Sequence, residues 1–428
     1  MLLYIHIPFC DSKCGYCGFF SQVNQNHLIE SYFKALEIDL KNQLNFMQNL
    51  GKLKKINSVF IGGGTPNMAD SKFYKNIFKI LESHLAINCE ISIESNPNLL
   101  TKKWLNDMQN MGLNRLSMGI QSFFSDKLSA LERNHNAKDI TNALNIARES
   151  IENFSIDLIY DCKLDNFSRL ENELGKAVKL APAHISAYSL SLDSNSRFGD
   201  SNRVDLLFGN VPQNMLQNIE SKAKFTQDSK DFTEDSKIDS KADSKEQNIE
   251  SFGYFVRDFL HANGFIQYEV SNYSRLKKCE HNLSYWRGDE YLGVGAAAVG
   301  RIEGIFESLD SKDSKNLDSK KLDSITLDSI NLDSIKNKKQ VHSTRYTGLK
   351  NIESYIKNPL LKHKEFLSTK DINFESLFLG FRSEVGVNYA LCDTKKAQIL
   401  LQEKLCFKKG EKIYANDYFL GDSLALFV

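Results

Sequence analysis

A strand-then-helix pattern recurs six times in the first half of the chain and limits its fold more than any other feature. Six short runs rich in β-branched residues alternate with longer stretches that show helical spacing of apolar residues. Most of these runs are nearly continuous apolar segments, which is typical of parallel strands buried on both faces. Six such units predict an α/β fold with a partial, TIM-like (β/α)6 barrel. The runs are LLYIHI from Leu2, SVFIGGG from Ser58, EISIES from Glu90, RLSMGI from Arg115, FSIDLIY from Phe154 and HISAYSL from His184.

Two low-complexity stretches interrupt this pattern. Residues 195–250 repeat the tripeptide Asp-Ser-Lys, and residues 308–340 repeat a five-residue unit that contains leucine and isoleucine. The first is expected to be disordered, because it cannot bury enough apolar surface to offset chain entropy. The second has a period that matches neither helix nor strand. We interpret both as disordered surface inserts, with a small folded solenoid as the alternative.

The inserts divide the chain into segments. The core barrel is predicted at 1–194, and it continues over 251–307 after the insert at 195–250. After the second insert at 308–340, residues 341–428 mix helical patterns with short strands. We predict that this end domain covers the barrel mouth or contacts a partner.

Composition favours an ordinary globular protein of the cytoplasm. The 428 residues are 41% hydrophobic and carry no net formal charge, without a long basic run that would bind nucleic acid or anionic lipid. No segment reaches the roughly 18 uncharged apolar residues needed to span a bilayer. The apolar N-terminus is too short for a signal h-region and lacks a cleavage site. We therefore expect a cytoplasmic protein, no membrane span and reduced cysteines.

Polar or reactive residues follow several predicted strands directly. Cys10 follows the first strand, and GGGTP from Gly62 ends the second. Glu94 and Asn96 lie at the end of the third strand, and Gln121 follows the fourth. In parallel barrels the C-terminal ends of the strands form the active-site rim. We therefore expect one site that includes these residues.

Three of the eight cysteines, Cys10, Cys14 and Cys17, lie close together in the stretch CDSKCGYC. In a reducing compartment such a group favours a metal centre over disulfides. A structural zinc ion needs four ligands, and His6, the nearest candidate for the fourth, lies inside the predicted first strand. Closely spaced cysteines on a loop also hold iron–sulfur clusters. Three thiolates on a four-iron cluster leave one iron open to an external molecule, and Phe19 stands where a fourth cysteine would follow.

The phrase YIHIPFCDSKCGYC resembles the signature of the radical S-adenosylmethionine (SAM) superfamily, whose cysteines hold a 4Fe-4S cluster with SAM on the open iron. Further phrases resemble the coproporphyrinogen III dehydrogenase-like branch of that superfamily. The resemblance implies a radical SAM partial barrel with a small helical, winged-helix-like C-terminal domain. The matching phrases include GGGTP, ESNP, NRLSMGIQSF, LERNH, SIDLIY, QYEVSNY, HNLSYW and YLGVGAAA.

The resemblance also implies cofactor contacts for particular residues. Cys10, Cys14 and Cys17 are the implied cluster ligands. Glu94, Arg133 and Asp157 are implied SAM contacts, but they could instead form an ion pair that stabilises the barrel. A buried carboxylate needs such a partner. The full set of implied SAM contacts is Tyr4, Tyr16, Gly63, Gly64, Thr65, Glu94, Gln121, Arg133 and Asp157.

The end of the fifth strand departs from the family pattern. Relatives usually continue this strand as Gly-x-Pro-Gly-Gln, whereas this chain continues with Asp161 and Cys162. No cofactor role is therefore transferred to this loop. Cys162 is expected to be a small buried apolar residue rather than a ligand.

Two functional groups share this branch. The dehydrogenases oxidatively decarboxylate coproporphyrinogen III, whereas HemW-type chaperones bind heme and pass it to hemoproteins. The dehydrogenases have a fourth cysteine where this chain has Phe19, and an extension before the cluster strand, which here begins at residue 2. Both features favour a heme chaperone, with heme, recipient hemoproteins and an electron donor as partners. Oxygen-independent coproporphyrinogen III dehydrogenase is the alternative function, and a zinc-stabilised barrel is a more remote one.

The phrase HNLSYW resembles a heme-binding segment of the HemW group, and it contains His281, Tyr285 and Trp286. A neutral imidazole is a good axial ligand for heme iron. The two aromatic side chains offer flat apolar surface to a macrocycle. Cys279 is an alternative iron ligand two residues away. The structural alternative for His281 is a hydrogen-bonded histidine of the core.

Overall fold

The structure, a computed structural model, describes residues 1–191, 196–199, 251–304 and 341–428. The predictions of disorder at 195–250 and 308–340 fall outside these ranges, apart from the segment 196–199. In the described ranges, no helix combines the length and apolar character that crossing a bilayer requires.

Six parallel strands in sequence order form the predicted barrel, each hydrogen-bonded to the next. All six predicted strands are present, and the third begins five residues before its apolar run. The strands are β1 Leu2–Ile7, β2 Ile56–Gly63, β3 Leu85–Ser95, β4 Arg115–Gln121, β5 Phe154–Tyr160 and β6 His184–Ser189. The helices between them are α1 Ile29–Asn49, α2 Tyr74–Leu81, α3 Lys102–Asn110, α4 Ser125–Ala130, α5 Ala137–Ser150 and α6 Phe167–Lys179.

Local sequence signals explain where several helices begin. The side chain of Thr101 accepts a hydrogen bond from Trp104 N (3.2 Å) at the start of α3. Asn136 and Asp139 form a capping box at the start of α5, in which each side chain accepts from the backbone of the other residue. These contacts satisfy backbone donors that have no partner within the helix.

The two faces of the barrel strands differ in chemistry. Alternate side chains, such as Leu3, Ile5 and Ile7 of β1, belong to the main apolar core shared with the helices. The side chains between them point to the inner side of the sheet, because successive residues of a strand face opposite ways. Both faces are covered, as expected, but many side chains of the inner face are polar and hydrogen-bond to one another. They include Ser58, Glu90, Ser92, Glu94, Arg115, Ser117, Asp157, His184 and Ser186.

Further strands extend the sheet beyond both edges of the barrel. After α7 Phe252–Ala262, the hairpin β7 Ile266–Glu269 and β8 Asn272–Ser274 pairs antiparallel with β6 through β8. Helix α8, Glu280–Trp286, follows, and then β9 Tyr291–Val294 pairs parallel with β1. The antiparallel strands β10 Val299–Glu303, β11 Val341–Gly348 and β12 Lys362–Ser368 complete that side. In the described ranges the order is β12-β11-β10-β9-β1-β2-β3-β4-β5-β6-β8-β7, so the barrel is open, as predicted.

A buried charge joins these late strands to the first helix. Lys362 Nζ of β12 lies 2.6 Å from Asp39 Oδ2 of α1, and both side chains are almost fully buried. Tyr355, on helix α9 Ile352–Lys357, donates a 2.8 Å hydrogen bond to the same carboxylate. A buried ion pair needs such additional hydrogen bonds to offset desolvation.

The last 60 residues form a separate small core. Helices α10 Thr369–Phe381, α11 Thr394–Gln402 and α12 Gly421–Phe427 pack with a three-stranded antiparallel sheet. The end domain was expected from residue 341, whereas residues 341–348 and 362–368 supply β11 and β12 of the large sheet. We call residues 369–428 the C-terminal unit. Its strands are β13 Val387–Asn388, β14 Cys406–Lys409 and β15 Lys412–Ala415.

Candidate functional site

The cysteine loop lies at the C-terminal rim of the barrel, directly after β1. Cys10 N donates a 3.0 Å hydrogen bond to Gln22 O, and Gln22 N donates a 2.8 Å bond to Pro8 O. These two bonds close the base of the loop. Inside it, Cys17 N donates to Cys14 O at 3.3 Å. Cys10 and Cys14 are buried, Cys17 is partly exposed, and all three thiols are free.

Donor groups from two other parts of the rim contact the thiols. The hydroxyl of Thr65 donates to Cys10 Sγ at 3.4 Å, and the guanidinium of Arg133 donates to Cys14 Sγ at 3.3 Å. Burial raises the pKa of the Cys10 thiol, while the Thr65 hydrogen bond opposes that shift. Donors to sulfur stabilise the thiolate form, which is the form that binds iron.

The donor set of this loop suits a 4Fe-4S cluster, in which each thiolate binds a different iron atom. His6, the candidate fourth ligand of a zinc site, has both ring nitrogens engaged. Nδ1 lies 2.9 Å from the hydroxyl of Tyr4, and Nε2 lies 2.8 Å from Phe20 O. Over the described ranges, no three His, Cys, Asp or Glu side chains are placed to hold a single metal ion.

The glycine run after β2 lies directly against this loop. Gly64 N donates a 2.9 Å hydrogen bond to Ile7 O. A Cβ at Gly64 would lie 3.1 Å from Cys10 Sγ, and a Cβ at Gly63 would lie 2.3 Å from the His6 ring. Gly63 also has a φ of +114°, which other residues rarely adopt. Glycine is therefore needed at both positions so that the second strand can approach the cysteine loop.

Arg133 connects the cysteine loop to two strands. Besides Cys14, its guanidinium donates to Asn96 Oδ1 (2.9 Å), just after β3, and to Gly119 O (3.1 Å) in β4. Its positive charge also opposes the effect of burial, which raises the pKa of the Tyr16 hydroxyl. Arg133 is thus placed to orient the loop, and within the described ranges its hydrogen bonds go to Cys14, Asn96, Gly119 and His135 rather than to a carboxylate.

Two partly buried carboxyl groups face the barrel interior below the rim. Glu94 Oε2 accepts a 3.0 Å hydrogen bond from Gly63 N, and Asp157 accepts one from the hydroxyl of Ser117 at 3.3 Å. Burial raises the pKa of Glu94 to about 7, and the Asp157 carboxylate raises it too, against opposing effects of Gly63 N and Arg115. Burial also raises the pKa of Asp157. A cationic ligand such as SAM would stabilise the charged form of both groups.

Glu94 should make the stability of the cofactor-free chain depend on pH. Its pKa rises from 4.5 to about 7 on folding, so its stabilising contribution is complete below pH 4.5 and is lost as the pH rises through 7. We expect Glu94→Gln to lack this loss. Relative to wild type, the free energy of unfolding of the variant should increase by about 2–3 kcal/mol between pH 5 and pH 8.

Urea unfolding of both proteins at the two pH values measures this difference. Glu82→Gln, at an exposed position, is the control and should follow the wild-type pH profile. Parallel pH profiles for Glu94→Gln and wild type would contradict the shifted carboxyl group.

Two rim strands end in residues with left-handed backbone. Gln121 at the end of β4 and Asp161 after β5 both have a φ of 66°. This region is sparsely populated by residues other than glycine, and such strain is common at functional sites. The side-chain amide of Gln121 lies over Gly119, where a Cβ would approach its Nε2 to 2.8 Å.

The loop after β5, where the family pattern is lost, is packed rather than open. Cys162 is buried in a small apolar cluster with Leu131, Ile159, Leu190 and Phe198. Burial raises the pKa of its thiol to about 12. This agrees with the expectation of a small buried residue. Phe198 N also donates a 2.9 Å hydrogen bond to Gly15 O, so this cluster supports the cysteine loop from the side.

A buried charge cluster, which the sequence did not suggest, holds the loops after β4 and β5. Lys127 Nζ lies 2.7 Å from Asp165 Oδ1 and 2.8 Å from Glu173 Oε2, and all three side chains are almost fully buried. Glu173 also accepts hydrogen bonds from Phe123 N (2.9 Å) and from the hydroxyl of Ser122. Lys127 lies 38 residues before Asp165, and none of the three charged residues belongs to the recognised phrases.

Asp11 is a second rim residue that was not predicted. Its carboxylate accepts hydrogen bonds from the side-chain amides of Asn98 (2.7 Å) and Asn134 (2.6 Å). It therefore ties the cysteine loop to the loops that follow β3 and β4. In the sequence, two features could have indicated this role. Asp11 is next to Cys10, and its partners lie inside the phrase LERNH (Asn134) and directly after the phrase ESNP (Asn98).

The candidate heme segment lies at the other end of the barrel interior. His281 on α8 contacts Ser58, near the start of β2, whereas Gly63, at the end of that strand, directly precedes Gly64, which lies against Cys10. Five residues of extended strand separate these points by about 16 Å. The amides of Glu280 and His281 each donate a 3.1 Å hydrogen bond to the carboxylate of Glu90 in β3, which fixes the start of α8. The candidate heme and cluster sites are therefore separate.

The imidazole of His281 is packed inside the barrel and is 2% exposed. Nδ1 lies 2.7 Å from the hydroxyl oxygen of Ser58. The ring centre lies 5.2 Å from that of Phe60 and 4.8 Å from that of Tyr285. Burial lowers the pKa of His281 to about 3, and the nearby Arg115 contributes. The ring is therefore neutral at physiological pH.

Nε2 of His281 has no hydrogen-bond partner among the described residues. The other three buried histidines of the described chain differ from it, because both of their ring nitrogens are engaged. The pairs are Tyr4 and Phe20 O at His6, Arg133 and Ile120 O at His135, and Ser155 and Tyr268 at His184.

Two neighbours of His281 complete this segment. Trp286 Nε1 is also buried without a partner in the described ranges, and the guanidinium of Arg382 lies 5.7 Å from the Trp286 ring centre. Cys279 Sγ contacts Glu90 Oε1 at 3.5 Å, and burial raises the pKa of the thiol to about 12. The thiol of Cys279 is thus engaged with Glu90, whereas Nε2 of His281 has no partner among the described residues.

Comparisons with known proteins identify the family and the fold. Residues 4–171 match the family model described as the radical SAM superfamily. A solved structure of coproporphyrinogen III oxidase (HemN) from Escherichia coli matches with a TM-score of 0.65 at 17% identity, covering 99% of this chain and 89% of that chain. At this identity the likeness shows the fold alone.

Sequence relatives are closer. The heme chaperone HemW of Escherichia coli (strain K12) is 30% identical over 305 residues, which are 70% of each chain. The heme chaperone HemW of Buchnera aphidicola subsp. Schizaphis graminum is 31% identical over 384 residues, which are 89% of this chain and 82% of the relative. On the strength of that identity over most of both chains, this chain belongs to the HemW family of radical SAM proteins.

Proposed function

We propose that the chain is a heme chaperone of the cytoplasm that binds a 4Fe-4S cluster, SAM and heme, and delivers heme to hemoproteins. The names of its relatives support the heme cargo. The three thiols of the rim loop would hold the cluster and leave one iron open. The glycine run and the acidic interior would bind SAM beside it. All eight cysteines are free thiols, as a reducing compartment requires.

The unpartnered Nε2 of His281 is the observation that carries the heme proposal. A buried polar atom without a partner costs about 1–3 kcal/mol, so native proteins seldom keep one without a ligand. A neutral imidazole nitrogen is a common axial ligand for heme iron. Tyr285 and Trp286, on the same short helix, supply aromatic surface for the macrocycle.

Access to this nitrogen requires movement, because His281 is 2% exposed. Contacts with the C-terminal unit hold the region around α8. Lys278 Nζ pairs with the carboxylate of Glu384 (2.5 Å), and Arg382 lies over the ring of Trp286 (5.7 Å). Opening of these contacts would expose α8. Both side chains of the ion pair are about one-third exposed or more, so this pair is weak enough to open readily.

We expect His281→Ala to weaken heme binding at least tenfold. The variant removes the proposed iron ligand, and even a hydrogen-bond partner of a metal ligand is worth about 10- to 100-fold in affinity. Titration of the full chain with ferric heme, followed by Soret absorbance, measures the effect. His363→Ala, at an exposed histidine of β12, is the control and should bind heme as wild type does. Equal Soret titrations for His281→Ala and wild type would exclude this heme site.

A turnover assay separates the chaperone from the alternative dehydrogenase. The reconstituted chain is incubated with coproporphyrinogen III, SAM and a strong one-electron reductant. We expect no significant protoporphyrinogen, and robust formation of that product would favour the dehydrogenase. Phe19, which is 71% exposed beside Cys17, stands where the dehydrogenases have their fourth cysteine.

A further inference from the structure

We propose that Ser58 is a positioning residue that holds His281 in the tautomer whose Nε2 binds heme iron. This inference rests on the proposed heme site. It begins from the 2.7 Å contact between Ser58 Oγ and His281 Nδ1, which joins two buried side chains 223 residues apart in the chain. Ser58 is 0% exposed and lies on a parallel strand whose backbone is bonded on both sides.

The chemistry of the neutral imidazole explains why a hydroxyl suits this position. A neutral ring has one protonated and one unprotonated nitrogen. When Nε2 of His281 binds iron, the proton must lie on Nδ1, and Ser58 Oγ is placed to accept its hydrogen bond. Without heme the same hydroxyl can donate to an unprotonated Nδ1. Serine can therefore pair with either tautomer of the ring, as donor in one and as acceptor in the other.

Glu90 limits the freedom of the ring in a second way. Its carboxylate accepts hydrogen bonds from the backbone of Glu280 and His281, which fixes the first turn of α8 against β3. Ser58 and Glu90 are register partners on adjacent strands. The backbone of His281 is thus held by one strand and its imidazole by the next. Metal-binding histidines generally have such a partner on the second nitrogen, which orients the ring.

A second serine–histidine pair in the barrel serves as a comparison, because it lacks the unpartnered ring nitrogen of the proposed site. Ser155 Oγ lies 3.0 Å from His184 Nδ1, again between a strand serine and a buried histidine. There, however, Nε2 lies 2.8 Å from the hydroxyl of Tyr268. The Ser155–His184 pair is therefore complete within the protein, whereas the Ser58–His281 pair leaves one nitrogen for a ligand.

The test compares Ser58→Ala with Ser155→Ala in the full chain carrying its reconstituted cluster, with ferric heme as the probe. We expect Ser58→Ala to weaken heme binding about 10- to 100-fold and Ser155→Ala to bind as wild type does. The iron–histidine stretching band of the reduced heme complex, measured by resonance Raman spectroscopy, should move to lower frequency in Ser58→Ala. A purely structural role would leave this band unchanged. Ser58→Thr, which keeps the hydroxyl, should restore both readouts.

The variants test the role of Ser58 and the heme site separately. If His281→Ala loses heme while Ser58→Ala keeps the wild-type affinity and band, the role of Ser58 is excluded and the heme site stands. If His281→Ala binds heme normally, the heme site itself is excluded. Should Ser58→Ala fail to fold, Ser58→Cys keeps the volume with a weak hydrogen-bonding group and is expected to show the same losses.

Discussion

Replacing Lys127 with methionine is expected to lower the free energy of unfolding by about 3–5 kcal/mol. The ammonium group lies 2.7 Å from Asp165 and 2.8 Å from Glu173, and all three side chains are almost fully buried. Methionine would fill the space but leave two buried carboxylates without a cation. Breaking a buried ion pair on one side is costly because the remaining charge keeps its full desolvation penalty. Urea unfolding of the full chain measures the loss.

Two further variants separate this effect from a general loss of charge. Lys103→Met removes an exposed ammonium that lies 2.6 Å from Asp107, and it should cost less than about 1 kcal/mol. Adding Glu173→Gln and Asp165→Asn to Lys127→Met should recover part of the stability, because the stranded charges are gone. If Lys127→Met and Lys103→Met were equally mild, the buried cluster would not contribute as the geometry implies.

Replacing Cys14 with serine is expected to abolish assembly of the iron–sulfur cluster. The wild-type chain, reconstituted without oxygen, should contain about four iron atoms and as many labile sulfides. The variant should contain almost none, because only two thiolates remain on the loop and the guanidinium of Arg133 no longer faces a sulfur atom. Iron and sulfide analysis measures the effect.

The matched control for this experiment is Cys162→Ser. Cys162 is a buried free thiol at the same rim, but it lies in an apolar cluster and not on the cysteine loop. Its variant should retain the full iron content. Full iron content in Cys14→Ser, or zinc in place of iron in the wild type, would contradict the cluster assignment.

Much of the fold was predictable because its signals are local. The runs that became β1 and β5 coincide with the strands residue for residue. The spacing of Cys10, Cys14 and Cys17 places three thiols on one loop whatever surrounds them. For the same reason the rim could be predicted, since parallel strands that end in Gly63 and Gln121 bring their ends to one edge.

Contacts between distant segments were not predictable. The pairing of Ser58 with His281 depends on which helix fills the barrel interior, and neither residue indicates the other. The contacts of Lys127 depend on where the loops after β4 and β5 come together. Polar residues at alternate positions of the strands indicated a polar inner face. The high apolar content of the same strands made this alternation difficult to recognise.

The sequence by itself determined the βα order, the open barrel and the three-thiol loop, because each follows from spacing along a short stretch of chain. Only the tertiary structure decided that the candidate heme segment and the cysteine loop lie at opposite ends of β2, where about 16 Å of extended strand separates Ser58 from Gly63. Only it left Nε2 of His281 without a partner while the other buried histidines are satisfied within the described chain. The physical reason is that hydrogen bonds across a barrel interior depend on strand register and helix placement, which local spacing does not specify.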